Sequence, residues 1–244
     1  MLMSYIFREH IKQSLAVIAF LLTLTACTSE SYDAGDGPNS YLTADLVLLH
    51  TSQDKSVRSA LLDDGTTLQF SNPFVQDWLT RPDSVYRALL YYDKTVAASD
   101  AAASNPTATS IVRARSVSPV SVLRPVEAED METLRTDPVG FESLWMSKNK
   151  SYINLSLLLK SGKTEADDAL HALGIVSHGT TTDAERRRTL HLTLYHDQGG
   201  VPAYYTVQQY VSIPTQLLEK ADTVELTLNT YNGKKVVKVA VSYL

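Results

Sequence analysis

The 244-residue chain is poor in cysteine: Cys27 is the only one. An intramolecular disulfide is therefore impossible, and packing alone must hold the fold together. Basic residues are also in deficit, since 22 lysines and arginines face 27 aspartates and glutamates, for a formal net charge of −5 at pH 7. This mild acidity argues against nucleic acid as a partner, because phosphate binding requires a cationic surface.

Catalytic motifs are lacking as well. The sequence contains no Gly-x-Ser-x-Gly elbow, no glycine-rich phosphate loop and no His-Glu-x-x-His metal motif. His191 and His196 are an odd number of positions apart on one predicted strand, which points them to opposite faces and prevents them from sharing a metal ion. We therefore expect no catalytic residues, no metal, no cofactor and no enzymatic activity.

The longest apolar run, Leu15 to Leu24, is too short to span a bilayer comfortably. Cationic residues precede it, so residues 1–26 are predicted to be a cleaved signal peptide. The run ends in Leu-Thr-Ala-Cys, which resembles the bacterial lipobox, and the resemblance implies a diacylglyceryl group on Cys27. The predicted partner of this part of the chain is a membrane, reached through the lipid on Cys27.

The stretch that begins with the cysteine, residues 27–40, is rich in serine, aspartate, glycine and proline and has almost no apolar side chains. It is predicted to be a flexible tether. In the bacterial lipoproteins that this N-terminus resembles, an aspartate directly after the lipidated cysteine is the signal for retention in the inner membrane. Here Thr28 occupies that position. This favours an outer-membrane location in the cell envelope, with the periplasmic and surface faces both left open.

Residues 41–124 consist of short runs rich in Val, Leu, Ile, Tyr and Thr, separated by turn-forming residues. Five or six such strands predict a small OB-like β-barrel. Asp63-Asp64-Gly65 is interpreted as a hairpin turn, with calcium binding by the aspartates as the alternative. This region has eight basic and eight acidic residues, which gives no electrostatic attraction for nucleic acid.

Residues 125–138, acidic and bounded by prolines, are predicted to be an interdomain linker. Residues 139–244 then show longer alternating strands, typical of an antiparallel β-sandwich. Tyr231-Asn232-Gly233-Lys234 predicts a hairpin between the last two strands. The expected fold is therefore all-β, with a small barrel followed by a sandwich.

The alternation separates a predicted core from a mixed outer face. The predicted inward set is Ile153, Leu155, Leu192, Leu194, Val207, Val224, Leu226, Leu228, Val237, Val239 and Val241. Tyr152, Tyr204 and Tyr210 lie on the opposite face of their strands, and Tyr195 is a further candidate. If their strands are neighbours, these tyrosines form an exposed aromatic patch suited to sugars or protein contacts, whereas the structural alternative is ordinary strand propensity.

Several of these stretches together resemble a known family. The lipobox, the stretch around Leu61 to Gly65, the segment from Asp137-Pro138 to Trp145, the run from Leu190 to Asp197 and the hairpin that ends at Tyr243 are similar to the NigD-like lipoproteins. The resemblance covers essentially the whole mature chain. It implies an OB-like domain followed by a β-sandwich and a suggested role in bacteriocin immunity, but it implies no set of functional residues.

Two functional hypotheses follow. The first is a non-enzymatic envelope lipoprotein that binds a protein, in bacteriocin immunity or in envelope assembly. The second is an accessory glycan-binding lipoprotein that uses the tyrosine face. The second needs the tyrosines to share one surface, so the arrangement of the strands bears directly on it.

The lipidation of Cys27 can be tested by removing its sulfur. In the Cys27→Ser variant no thioether to the lipid can form, so we expect the protein to move from the membrane fraction to the soluble fraction. Fractionation with blotting measures this directly. Continued firm membrane attachment of the variant would contradict the assignment, and Ser29→Ala is a neighbouring control that should stay attached.

Overall fold

The computed structural model describes residues 42–94, 110–163 and 170–241. The predicted signal peptide, Cys27 and the tether lie outside the described residues, as do residues 95–109, 164–169 and 242–244. The all-β prediction is confirmed: in the described ranges the only helical elements are two short 3-10 turns, Ala128–Asp130 and Thr215–Leu217. No helix in these ranges has the length and apolar character needed to cross a membrane.

The first five strands close into a barrel. They are β1 (Leu42–Thr51), β2 (Val57–Leu62), β3 (Thr67–Phe74), β4 (Val85–Lys94) and β5 (Ser110–Pro119), in the order β1-β2-β3-β5-β4. All neighbours are antiparallel except β3 and β5, which run parallel. Alternate side chains fill the interior, among them Val47, Leu49, Leu68, Leu90 and Val112. The predicted OB-like barrel is confirmed.

The remaining strands form two packed sheets. They are β6 (Ser121–Val122), β7 (Pro125–Glu127), β8 (Gly140–Met146), β9 (Tyr152–Ser161), β10 (Ala172–Thr182), β11 (Arg188–Asp197), β12 (Tyr205–Pro214), β13 (Thr223–Thr230) and β14 (Gly233–Ala240). One sheet has the order β14-β13-β11-β10-β7 and the other β6-β12-β9-β8. The predicted sandwich is confirmed. Three pairs in it are parallel, however: β11 with β13, β10 with β7 and β12 with β6. β11 and β13 run parallel because β12 intervenes in the opposite sheet.

The core of the sandwich agrees with the alternation in the sequence. Most of the predicted inward residues are buried, namely Ile153, Leu155, Leu192, Leu194, Val224, Leu226, Leu228 and Val241. Val207, Val237 and Val239 are partly buried and pack against that core. The predicted β13–β14 hairpin is also present, with Thr230 paired to Gly233. Gly233 has a φ of +102°, which a side chain would disfavour.

The segment predicted as a linker, residues 125–138, takes part in the sandwich instead of running free. β7 pairs with β10 along the edge of the five-stranded sheet, and the backbone N–H of Asp137 donates to the carbonyl of His196 at 2.9 Å. The physical reason is that an edge strand presents backbone groups that need partners, and β7 supplies them. Barrel and sandwich consequently form one compact unit.

Candidate binding site at the junction of barrel and sandwich

The four tyrosines singled out from the sequence do not form one patch. Tyr195 lies on β11, on the outer face of the five-stranded sheet, while the other three belong to the four-stranded side of the sandwich. Tyr204 precedes β12 and is 78% exposed, but six residues of strand, about 20 Å, separate it from Tyr210. Tyr152 lies beneath an arginine of the barrel, with the guanidinium 4.4 Å from its ring centroid.

That arginine, Arg87 of β4, fastens the barrel to the sandwich. Its side chain is 1% exposed, and it donates two hydrogen bonds, of 2.6 and 2.7 Å, to the carboxylate of Asp63 in the barrel. It also donates from Nε to Ser212 Oγ at 3.1 Å and from Nη2 to Asn154 Oδ1 at 3.1 Å, both on the four-stranded sheet. The ring of Tyr152 stacks against the guanidinium and forms a cation–π contact with it. A planar guanidinium suits such a site because its donors form a rigid fork.

The sandwich contributes two buried polar side chains to this contact, and both have hydrogen-bond partners. Asn154 and Ser212 are both 0% exposed, and Ser212 Oγ donates to Asn154 Oδ1 at 2.7 Å. Asn154 Nδ2 donates in turn to Asp63 Oδ2 at 3.1 Å. Both carboxylate oxygens of Asp63 thus accept hydrogen bonds at the interface, while Gly65 forms the predicted hairpin turn with a φ of +91°. Each buried polar group has a partner, which is the condition for burying it without a large penalty.

Beyond this contact, the barrel and the four-stranded sheet diverge and leave a cleft of about 420 Å³. Its walls include Tyr91 from β4 and, from the sandwich, Trp145 and Tyr210, whose rings meet edge to face at 6.4 Å between centroids. Three leucines, a methionine and four carboxylates also line the cleft. Concave, partly apolar sites of this size between domains are where proteins most often bind ligands.

Glu142 enters this cleft because of a β-bulge. Phe141 pairs with Leu157 and Ser143 with Ser156, so Glu142 is an extra residue that has no partner in the β8–β9 ladder. A bulge redirects the side chain of the inserted residue. Here the Glu142 side chain reaches from β8 over β9 toward β12. Its Oε2 accepts hydrogen bonds from Ser156 Oγ on β9 at 2.6 Å and from the side-chain amide of Gln208 on β12 at 2.5 Å.

The electrostatics of the cleft are acidic. Asp45, Asp63, Asp64 and Glu142 line it together with a single lysine, Lys148. Partial burial works against ionisation of Asp64, but the backbone and hydroxyl of Thr66 and the charge of Lys148 outweigh it and lower its pKa. Burial and a 2.8 Å hydrogen bond to Asp45 raise the pKa of Tyr92 above its usual value, so this phenol stays a proton donor.

A second polar cluster lies on the outer face of the five-stranded sheet. His191 contacts Thr181 Oγ1 through Nε2 at 2.8 Å and Glu225 Oε1 through Nδ1 at 3.2 Å, an order that resembles a hydroxyl–imidazole–carboxylate triad. Lys238 donates to the same glutamate at 2.9 Å. This hydrogen bond and the one from His191 outweigh partial burial and lower the pKa of Glu225. The cluster lies on an open sheet whose backbone amides are used in strand pairing, so it offers no oxyanion donors.

The structure also brings two histidines together, His171 and His196. His171 Nδ1 and His196 Nε2 are 3.0 Å apart in stacked rings, and His196 Nδ1 lies 3.0 Å from the carbonyl of Asp137. Because that carbonyl can only accept, His196 donates from Nδ1, and its Nε2 accepts from His171. His171 Nε2 is left buried without a hydrogen bond. Burial and the neighbouring His196 lower the pKa of His171, and together they outweigh the backbone of Lys160, which acts in the opposite direction.

Sequence reasoning missed the junction almost entirely. A signal existed in β9, where Asn154 and Ser156 interrupt a run of aliphatic residues at alternate positions. Buried amides and hydroxyls require partners, so this interruption indicates a second element packed on that face. The bulge at Glu142 left no such trace. No group of three or more His, Cys, Asp or Glu side chains in the described ranges is placed to hold a metal ion.

Residues 122–242 match the family model described as the NigD-like C-terminal beta sandwich domain. No curated protein matches the chain in sequence.

Solved structures share the fold. A NigD-like immunity protein from Bacteroides caccae is 22% identical, with a TM-score of 0.58, over 81% of this chain and 91% of that one. A candidate toxin-related protein from Parabacteroides distasonis is 19% identical, with a TM-score of 0.54, over 81% and 92% of the two chains. A candidate lipoprotein from Bacteroides fragilis is 14% identical, with a TM-score of 0.57, over 82% and 98%.

The contact made by Arg87 can be tested by truncation. Arg87→Ala leaves the Asp63 carboxylate and the Asn154 amide without their main partner, so we expect the free energy of unfolding to fall by about 3 kcal/mol. This value lies near the lower end of the losses seen when one partner of a buried ion pair is removed, because Asp63 is partly exposed. Urea denaturation followed by circular dichroism measures the loss. Arg115→Ala removes a more exposed arginine–aspartate pair of the same barrel and should cost under about 1 kcal/mol. Equal losses in the two variants would contradict the assigned role.

The histidine pair predicts a pH dependence of stability. A folded-state pKa of His171 below the unfolded value of about 6.5 means that the unfolded chain binds more protons in the window between them, so stability falls as pH drops below about 6.5. The slope from one group is at most about 1.4 kcal/mol per pH unit, and less here because the ring is partly exposed. Denaturation between pH 5 and 8 should show a shallower fall for His171→Asn. An unchanged slope in His171→Asn would refute the prediction.

Proposed function

The chain belongs to the NigD-like family, and from this premise we propose that it is a non-enzymatic lipoprotein of the bacterial envelope that binds a protein partner. The observation that carries the proposal is the junction: Arg87 fixes the barrel on the sandwich, and the fixed pair presents one cleft walled by aromatic rings and carboxylates. A cleft held rigid in this way suits recognition, because little conformational entropy is lost on binding.

The non-enzymatic part of the proposal is supported by the geometry of the best catalytic candidate. Thr181, His191 and Glu225 are ordered as in a triad, but they lie on a flat sheet face with ladder-bonded amides. Stabilising an oxyanion requires free donors aimed at one point in a shielded site. The cleft, in contrast, contains rings and carboxylates but no histidine.

Two settings are proposed for the partner, bacteriocin immunity and envelope assembly. The Bacteroides caccae relative is described as an immunity protein, and the Bacteroides fragilis relative as a candidate lipoprotein. Lipidation at Cys27 and an outer-membrane location, as predicted from the sequence, would hold the cleft at the envelope, where either partner is encountered. The lipid is the proposed membrane contact, and neither cofactor nor nucleic acid is part of the proposal.

Glycan binding is the second candidate, and a specific observation favours it. Tyr204 and Tyr205 expose 78% and 49% of their surface, and exposed tyrosine rings are suited to stacking on a sugar. Tyr210, by contrast, is engaged with Trp145. Retention of the protein on polysaccharide affinity gels, lost in Tyr204→Ala, would support this candidate, and no retention on any polysaccharide would remove it.

Crosslinking in the intact envelope tests the proposal. A tagged, lipidated full-length chain should yield a discrete protein adduct after crosslinking and denaturing purification, and the adduct partner, once purified, should bind the detergent-solubilised full-length protein at one to one. Another tagged lipoprotein of the same envelope serves as the control and should not yield that adduct. If no protein adduct forms, or if the adduct forms equally with the control, the protein-binding proposal is wrong.

A further inference from the structure

We propose that the junction cleft binds a cationic polypeptide segment, with a lysine or arginine side chain seated against Tyr210 and Trp145 and paired with the Glu142 carboxylate. This inference rests on the proposed function and deepens it, because it names the site and the chemistry of the protein partner. It is carried by a repetition within the structure, in which a ring, an amide and a hydroxyl of one sheet face meet a carboxylate at two places.

The first set holds Arg87. It consists of a tyrosine ring, an amide, a hydroxyl and a carboxylate, and three of these come from the outer face of the four-stranded sheet: Tyr152, Asn154 and Ser212. Asp63 supplies the carboxylate from the barrel. Ring face, carboxylate and neutral acceptors together are what a desolvated guanidinium requires, since they satisfy its charge, its donors and its flat surfaces.

The second set lies farther along the same two central strands. Tyr210 supplies the ring, Gln208 the amide and Ser156 the hydroxyl, and Glu142 supplies the carboxylate from the bulge in β8. Ser156 pairs with Tyr210 in the β9–β12 ladder, just as Asn154 pairs with Ser212 one step along the same face. The two sets thus share their chemistry and their sheet face.

The difference between the two sets is the cation. Arg87 occupies the first, whereas no lysine or arginine of the described residues forms an ion pair with Glu142. Both hydrogen bonds that Glu142 accepts go to Oε2, which leaves Oε1 as an acceptor for a ligand. The two bonds also hold the carboxylate in place, so it needs little reorganisation on binding.

Charge favours a basic partner over the other ligand classes. Four carboxylates and one lysine line the cleft, so an anionic ligand would be repelled. Among these carboxylates, Asp63 forms an ion pair with Arg87, and the charge of Lys148 stabilises ionised Asp64. Glu142 and Asp45 have no ion pair in the described ranges, although Asp45 accepts a hydrogen bond from Tyr92. A neutral saccharide could stack on the rings, but it would leave these two charges uncompensated. A cation satisfies the charges and the rings together.

The cleft contains its own reporter. The chain has two tryptophans: Trp145 lies in the cleft, and Trp78 packs against Tyr86 in the barrel. We would titrate the detergent-solubilised full-length protein with hexaarginine at 0.15 M salt and follow tryptophan emission. We expect saturable quenching that survives in Trp78→Phe and disappears in Trp145→Phe. Hexaglutamate and maltohexaose should leave the emission unchanged.

Matched variants assign the carboxylate. Glu142→Gln keeps the shape and the hydrogen bonds but removes the charge, so we expect hexaarginine to bind about tenfold more weakly, as for loss of one charge-assisted hydrogen bond. Glu132→Gln makes the same charge change at an exposed glutamate outside the cleft lining and should bind as the unmodified protein does. Equal binding by Glu142→Gln and Glu132→Gln, or no quenching of Trp145, would overturn the inference.

Three further outcomes separate this inference from the function on which it rests. If maltohexaose and not hexaarginine quenches Trp145, the cleft is a saccharide site and the cationic assignment is wrong. If the partner found by envelope crosslinking binds Glu142→Gln and Trp145→Phe as well as the unmodified protein, the cleft inference fails while protein binding stands. If no protein partner exists, the proposed function itself fails.

Discussion

The buried contact between Arg87 and Asp63 determines how the rest of this molecule is arranged. A guanidinium that is 1% exposed is stable only if its charge and its donors are met, and the partners here come from both the barrel and the sandwich. The two subdomains can therefore satisfy this group only in one relative position. Apolar packing alone, being non-directional, would tolerate sliding between them.

The cleft is a consequence of that position. The barrel covers the Tyr152 end of the outer face of the four-stranded sheet and leaves the Tyr210 end open. One face of one sheet thereby acquires two roles, since its covered part holds an arginine of the same chain and its open part presents the same types of group to a ligand. The bulge in β8 completes the open part by directing Glu142 across the sheet.

The relation of sequence to structure differs between the core and the site. Alternation along β9 and β13 predicted the buried faces correctly, because a period of two follows from strand geometry alone. The prediction that the four tyrosines share one exposed surface was wrong. Alternation predicts on which side of a strand a residue lies, but it does not predict which sheet that strand joins. Tyr195 has the right spacing and lies in the other sheet, and Tyr152 has the right face but is covered by Arg87.

The sequence by itself determined the all-β class, the order of barrel and sandwich, the Asp-Gly and Asn-Gly hairpins and the core residues, since each follows from local propensity and from the burial of apolar side chains. Only the tertiary structure decided that residues 125–127 belong to a sheet, that His171 meets His196, and that Arg87, Asp63 and Asn154 converge from three separate strands and turns. Such contacts join residues up to 125 positions apart, as from Arg87 to Ser212. Their energies depend on desolvation and on exact geometry, which no local pattern of residues records.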